Sequence, residues 1–297
     1  MTKQAWGLLL LLSAIWGASF LFIEMALVAM GPVTLVFFRV LIGSMTLGLY
    51  VMARGLSLPR SFAFWRSVFV MGVLNNAIPF YLIAYGQLSI TGGMASIINA
   101  NTAFFGVLVA AIFISDETLS ARRIIGVLTG VCGVVIVVGP SELLRFDVAS
   151  IGQIAVVLAT LSYAFASVWG RLTLQGYDTT ITAFATASCA TSVLAVIMLA
   201  TDGVPSFALT PSLLIVAIGL GVIGTGGAYM LYFRILSLAG ASNLMLVTII
   251  VPVFAVTLDA LILGQWIGMR ALFGFVVIAL GLIVMDGRLL RHIYPKT

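Results

Sequence analysis

Two charges sit inside long apolar stretches. The segment from Leu11 to Val40 reads LLSAIWGASFLFIEMALVAMGPVTLVFFRV, with Glu24 and Arg39 embedded in it. A carboxylate there can hold a proton or a cation; a guanidinium can pair with it. A charge at the centre of a membrane helix costs about 2.5–3.5 kcal/mol on insertion scales and less toward the ends, so each needs a partner or a task. Glu24 lies seven residues past the middle of its stretch, about 10 Å off-centre at a rise of ~1.5 Å per residue. Arg39 falls at the same depth on the returning stretch. Three readings of Glu24 stand side by side: an ion pair with Arg39 that fixes two helices, a substrate- or proton-binding group, or a side chain snorkelling to the interface. Arg39 reads as the more structural of the two.

At about 100° per residue, Ser13, Trp16, Gly17, Phe20 and Glu24 form one stripe about 100° wide. Thr160, Tyr163, Ala164, Ser167 and Arg171 repeat it at an offset of 147 residues. A lipid-facing surface gives no reason for such a stripe, whereas a cavity between two halves does. Helix packing by Trp16 and Tyr163 is the plainer alternative. A third stretch carries Asn75, Asn76 and Pro79 at its middle, followed by Phe80 and Tyr81. The matching place in the second half is GVIGTGG (221–227), with Gly224, Thr225, Gly226 and Gly227, then Tyr229 and Tyr232. Proline removes an amide donor and glycine loosens a helix, so both places are expected to be broken near mid-membrane. Such a break is tolerated only against protein or a wet cavity. Gly17, Pro79, Gly224, Gly226, Gly227 and Pro252 are the expected hinges. Asn99 and Asn101 are about 200° apart on a helix, so at most one easily faces a cavity. Met245, Thr248, Pro252, Ala255 and Asp259 share one face, with Asp259 near the outer end and open to solvation.

These residues need helices to position them. The chain has 297 residues, 62% hydrophobic and 8% charged, with a mean hydropathy of +1.25. A soluble domain carries about a quarter charged residues. The apolar runs are continuous and lack period-2 alternation, which argues for a polytopic helical membrane protein over a β-barrel. We read ten transmembrane helices, at 6–28, 33–53, 66–86, 93–114, 122–139, 149–171, 180–200, 212–234, 241–263 and 270–287. The first is no cleavable signal peptide: it is long, lacks a small-residue cleavage end and has a counterpart later in the chain. Cys132 and Cys189 fall inside helices and read as buried free thiols.

The net charge of +5 reflects topology and not nucleic-acid binding, because the basic residues flank the spans. With the N-terminus in the cytoplasm, Lys3, Arg54, Arg60, Arg66, Arg122, Arg123, Arg171, Arg234, Arg288, Arg291 and Lys296 lie at cytoplasmic ends, against Arg145 and Arg270 outside. Both termini are therefore expected inside. YGQLSITGGMAS (85–96) aligns with FRILSLAGASNL (233–244) at an offset of 148, and Glu117, Gly126, Gly133 and Gly139 align with Gln265, Gly274, Gly281 and Gly287. The chain thus divides into a five-helix repeat over 1–145 and a second over 146–297. Five is odd, so the second copy enters the membrane inverted, as in many secondary transporters.

The Trp16-Gly17 pair, the GPxxLxFFR pattern at 31–39, the acidic turn ending at Glu117 before a glycine-spaced helix, and VPVF at 251–254 resemble the EamA family of the drug/metabolite transporter superfamily. The resemblance covers nearly the whole chain. It implies ten helices, two inverted five-helix repeats and export or exchange of small metabolites, often amino acids. Glu24 stands where such sequences often carry lysine, and Gln265 stands where the first half has Glu117.

The expected function is secondary transport in a bacterial-type cytoplasmic membrane, by alternating access around a central cavity. The expected substrate-binding residues are Trp16, Phe20, Glu24, Asn75, Asn76, Phe80, Tyr81, Asn99, Tyr163, Thr225, Tyr229 and Thr248. Aromatics would cover apolar parts of the cargo, and amides would bind its carboxylate and ammonium. The partners are a small-molecule substrate and the bilayer, with no nucleic acid, cofactor or metal, and the working unit is a monomer. Phosphorylated cargo would want several convergent Arg and Lys. ATP drive would want a G-x-x-x-x-G-K-[ST] motif, which the sequence lacks. An intramembrane serine protease would want a buried histidine, but His292 in the basic tail is the only one in the chain. A passive channel would show a conductance without saturation. The runner-up is a lipophilic-cation exporter built on Glu24 and the aromatics.

Overall fold

The computed structural model describes residues 2–114, 120–139, 148–204 and 210–286. Glu117, Arg145, Gly287, Arg288, Arg291, His292 and Lys296 lie outside the described residues, as does most of the 139–147 connection. Within those bounds the chain is helical: α1 Lys3–Leu27, α2 Pro32–Ala53, α3 Phe62–Gly86, α4 Gly92–Phe113, α5 Ala121–Val138, α6 Val148–Thr173, α7 Thr179–Thr201, α8 Pro211–Ala239, α9 Leu246–Leu263 and α10 Met269–Asp286. Among the described residues, nine helices are long and apolar enough to cross a membrane; Met269–Met285 is shorter. Large apolar side chains such as Met52, Ile112, Val196, Leu261 and Phe273 point outward and are mostly exposed. So much apolar surface suits lipid and not water, and the protein is an integral membrane protein.

The helix starts follow local chemistry. Thr2, Thr91, Asp178 and Thr210 each accept a backbone N–H of the first turn of α1, α4, α7 and α8. Pro32 and Pro211 occupy first-turn positions, where a missing N–H costs nothing. Gly240, at φ 76°, ends α8. The expected end of α8 at Arg234 is therefore too early: the helix runs to Ala239, because nothing before Gly240 leaves the right-handed region. Likewise α3 begins at Phe62, ahead of the expected residue 66.

The expected breaks in α3 and α8 are not breaks. Val73–Ala77 and Ile215–Gly227 are π-helical, so each helix continues on a wider turn. In α3 this turn precedes Pro79, whose ring would crowd the carbonyl four residues back and which has no N–H to give it. Ser162 on α6 donates to the Leu74 carbonyl at 2.7 Å. In α8 the Thr225 hydroxyl donates back to the Leu220 carbonyl at 2.8 Å. Two interruptions that do occur were not expected: α4 passes through a turn at Ala100–Asn101, and the span expected from residue 241 turns at Met245 before α9 begins.

Helix α1 packs on α9, α2 on α7 and α8, α3 on α6 and α7, α4 on α6, and α5 on α10. In lipid, helices associate through close packing of small residues, since burial from water is no longer on offer. The α5–α10 contact shows this directly. A Cβ added to Gly126 would stand 2.8 Å from the Gly281 carbonyl, and one added to Gly274 would stand 2.9 Å from that of Gly133. The glycine series aligned between the halves is thus one antiparallel seam. Gly86 at the end of α3 meets the backbone of Gly152 near the start of α6. So α6 starts at the end of the molecule where α3 finishes, and it runs opposite to α1. One end of the bundle, the basic end, gathers Lys3, Arg54 and Arg171; the other gathers Glu24 and the start of α4.

Candidate functional site

A cavity of about 550 Å³ lies between the helices. Trp16 and Phe20 from α1, Asn75 and Phe80 from α3, Asn99 from α4, Tyr163 from α6, Thr225 and Tyr229 from α8 and Thr248 from α9 all line it. Nine expected binding residues therefore meet in one place. The cavity runs from Trp16 and Tyr163 toward the basic end, reaching Leu174, Tyr177 and Thr179 at the α6–α7 turn. Aromatic rings recur in its walls, Trp16, Phe20, Phe80, Tyr163, Tyr229 and Tyr232 among them. Trp16 and Tyr232 are 6.1 Å apart between centroids, and Tyr229 stacks on Phe233 at 6.3 Å. The Asn75 amide donates to the Tyr229 hydroxyl at 3.1 Å and to the Asn76 side-chain Oδ1 at 3.2 Å.

Three expected binding residues are not on the cavity. Asn76 is fully buried behind Asn75 and orients it. Tyr81 packs beside Tyr85, ring centroids 5.9 Å apart. Glu24 is at the far end of α1. The helical period that groups it with Trp16 is sound, but the cavity is lined by its neighbour Ile23 while the Glu24 side chain is turned to the start of α4. As expected from their spacing, Asn99 lines the cavity while Asn101 is buried and bonds to the Ile98 carbonyl at 2.7 Å.

Glu24 and Arg39 do not pair. The Glu24 carboxylate accepts from the Gly92 N–H at 2.9 Å and from the Gln265 amide at 2.6 Å. Asp259 is also not solvated: it is 1% exposed and accepts from the Gly93 N–H. Two carboxylates, one from α1 and one from α9, thus grip the first two amides of α4. Those N–H groups have no partner inside their helix, and the positive end of the helix dipole lies there. Gln87 adds a third tie by donating to the Phe20 carbonyl at 2.9 Å. The expected reading missed Gln265 because it follows α9 and belongs to no span.

Arg39 is where the structure departs furthest from expectation. It borders the cavity and is 7% exposed. Its Nε donates to the Thr225 hydroxyl at 3.2 Å. Its guanidinium lies 3.9 Å above the centre of the Phe80 ring, a cation–π contact. Among the described residues, no carboxylate pairs with it.

Of the expected hinges, Gly17 and Gly226 stand at tight contacts. A Cβ at Gly17 would be 2.6 Å from Phe254, and one at Gly226 would be 2.6 Å from Thr46. Gly224 lines the cavity beside Ser19, and Gly227 faces the Val222 carbonyl of its own helix. Pro79 follows the π segment of α3, and Pro252 is buried inside α9.

The sequence matches the model of the EamA-like transporter family twice, over residues 4–139 and 150–285. An uncharacterized transporter of Bacillus subtilis (strain 168), YoaV, is 23% identical over 271 residues, covering 90% of this chain and 91% of that one. Two uncharacterized transporters of Archaeoglobus fulgidus are similar, one 23% identical over 285 residues (95% of this chain, 98% of that one), the other 27% over 257 (86% and 87%). A solved crystal structure shares the fold at a TM-score of 0.68 and 19% identity, over 99% of this chain and 100% of that one. The all-helical bundle, its central cavity and the paired match agree: the chain belongs to the EamA-like transporter family.

Proposed function

We propose that this chain is a secondary transporter that exports or exchanges small amphipathic metabolites, amino acids foremost, by alternating access through the central cavity. The observation that carries this is how the cavity is built and closed. Equivalent positions of the two halves line it: Trp16 with Tyr163, Phe20 with Ser167, and Asn99 with Val247. It reaches the basic end, while the opposite end is tied by Glu24, Asp259 and Gln87. The positive-inside rule makes the basic end cytoplasmic, so this is an inward-facing arrangement with its outer side held shut.

Two inverted five-helix repeats account for the packing. Exchanging each helix of one half for its counterpart turns α1–α9 into α6–α4 and α2–α8 into α7–α3, and leaves α2–α7 and α5–α10 unchanged; all of these pairs pack together. The double family match and the opposite directions of α1 and α6 support the same reading, with α10 as the tenth span. The membrane is a cytoplasmic one, with both termini inside. Outward opening would release the first turn of α4 from its two carboxylates. A lipophilic-cation exporter finds less support, since Glu24 is off the cavity and the charged side chain on it is Arg39.

Counterflow in proteoliposomes tests this. Loaded amino acid should exchange with external label, with saturation, and absence of counterflow for all twenty would overturn the reading.

A further inference from the structure

We propose that Arg39 is the anchor for a carboxylate on the cargo, so that the site selects small carboxylates with a flat apolar body and does not require an amino group; this rests on the transport reading above. A guanidinium has five N–H donors in a planar fork. Among the described residues one hydrogen bond of Arg39 is present, from Nε to Thr225. Its ring contact with Phe80 occupies a face and not the donors. The terminal nitrogens are thus free to make the bidentate contact that guanidinium makes with carboxylate. A buried cation with no counter-ion is costly in a membrane interior, and an entering anion reduces that cost.

The rest of the wall fits the same ligand. Trp16, Phe80, Tyr163 and Tyr229 border the cavity with Arg39, and among the described residues no Asp or Glu does. A ring or branched apolar body therefore finds matching surface, while an ammonium group finds no opposite charge. A volume of about 550 Å³ falls within the roughly 300–1,000 Å³ of small-molecule sites. Phe80 and Thr225 hold the guanidinium from two helices, α3 and α8, one from each half. An anion on Arg39 would therefore meet a group tied to both sides of the moving boundary.

The test uses the purified full-length chain in nanodiscs and three ligands sharing one ring: 3-phenylpropionate, L-phenylalanine and phenethylamine. Binding is followed by quenching of tryptophan fluorescence and by the thermal midpoint. The two carboxylates should bind within a few-fold of each other, and the amine at least tenfold more weakly. Arg39→Gln should lose tenfold or more in affinity for 3-phenylpropionate, with Arg39→Lys between it and the parent chain. If Arg39→Gln fails to fold, the ligand series on the unaltered chain still decides. Equal binding of phenethylamine, unchanged affinity in a folded Arg39→Gln, or no binding of either carboxylate would overturn the anchor. Carboxylate binding with no counterflow of any amino acid or carboxylate would keep the anchor and sink the transport reading. Counterflow inhibited equally by phenethylamine and 3-phenylpropionate would do the reverse.

Discussion

Replacing Glu24 separates the partner it has from the partner its depth suggests. In the structure its carboxylate accepts two hydrogen bonds, from the Gly92 N–H and the Gln265 amide. Hydrogen bonds to a charged group contribute about 1.5–3 kcal/mol each. Glu24→Ala removes both, but Gln265 is half-buried and can find other partners, so a loss of about 3 kcal/mol is expected. Glu24→Gln should be milder. The new amide oxygen can still accept from Gly92. Gln265 can turn its own amide over and offer Oε1, which has no partner in the structure, to the new NH₂ group. What goes is the charge assistance and the attraction to the helix N-terminus, about 1 kcal/mol together. Equilibrium unfolding in mixed micelles, followed by helical circular dichroism, measures both. A double-mutant cycle then assigns the partner. Glu24→Ala and Gln265→Ala should couple by about 1–2 kcal/mol, while Glu24→Gln and Arg39→Gln, which share no partner, should add within about 0.5 kcal/mol. A Glu24–Arg39 coupling above about 1 kcal/mol would refute the arrangement. So would equal losses in Glu24→Ala and Glu24→Gln.

The remaining predictions concern the clamp, the seam and the topology. Asp259→Leu removes the acceptor for the Gly93 N–H and should cost about 1.5–3 kcal/mol. Backbone hydrogen exchange over Gly92–Ser96 should speed up at least tenfold, and unchanged exchange there would mean the clamp does not hold α4. Gly281→Ala puts a methyl 2.8 Å from the Gly126 carbonyl and should lower stability by about 1–3 kcal/mol. Gly106→Ala, which meets nothing within 4 Å, should not, and equal effects would remove the seam from the account. In a background with Cys132→Ala and Cys189→Ala, an impermeant maleimide added to intact cells should label Ala29→Cys and spare Leu56→Cys. The opposite pattern would invert the orientation.

Much of the fold was legible because each helix is a long apolar run with a readable start and stop. Thr91, Asp178 and Thr210 cap the helices that follow them, and Pro32 and Pro211 sit where proline is harmless. The errors are local and have physical causes. Arg234 suggested an end to α8, but a charge does not end a helix; Gly240, at φ 76°, does. Pro79 and the glycines of 221–227 correctly marked irregular backbone. They could not say how the chain absorbs it, and it does so with wider turns, hydroxyls from Ser162 and Thr225 meeting the carbonyls. Residues of the cavity were legible wherever one helix's own period decides direction. Trp16, Phe20 and Tyr163 follow from the stripe alone, and the angle between Asn99 and Asn101 allows only one of them to face the cavity.

What the sequence hides is which helix stands beside which. Glu24 and Arg39 share a depth, but depth fixes only a level in the membrane, and every helix crosses that level. A tight turn at 28–31 makes α1 and α2 neighbours in the chain, and chain neighbours are often neighbours in space. Here α2 leans instead on α7 and α8, while α1 lies along α9. That choice is made by small residues far from either charge: Gly17 lets α9 approach α1, and Gly43 lets α8 approach α2. Once α1 rests on α9, Glu24 meets the start of α4 and Gln265, 241 residues away. Once α2 rests on α8, Arg39 meets Thr225 and turns toward the cavity. The same packing that satisfies the glutamate leaves the arginine without a carboxylate. That is why the residue read as structural borders the cavity, and the residue read as a cargo ligand holds the first turn of α4 instead.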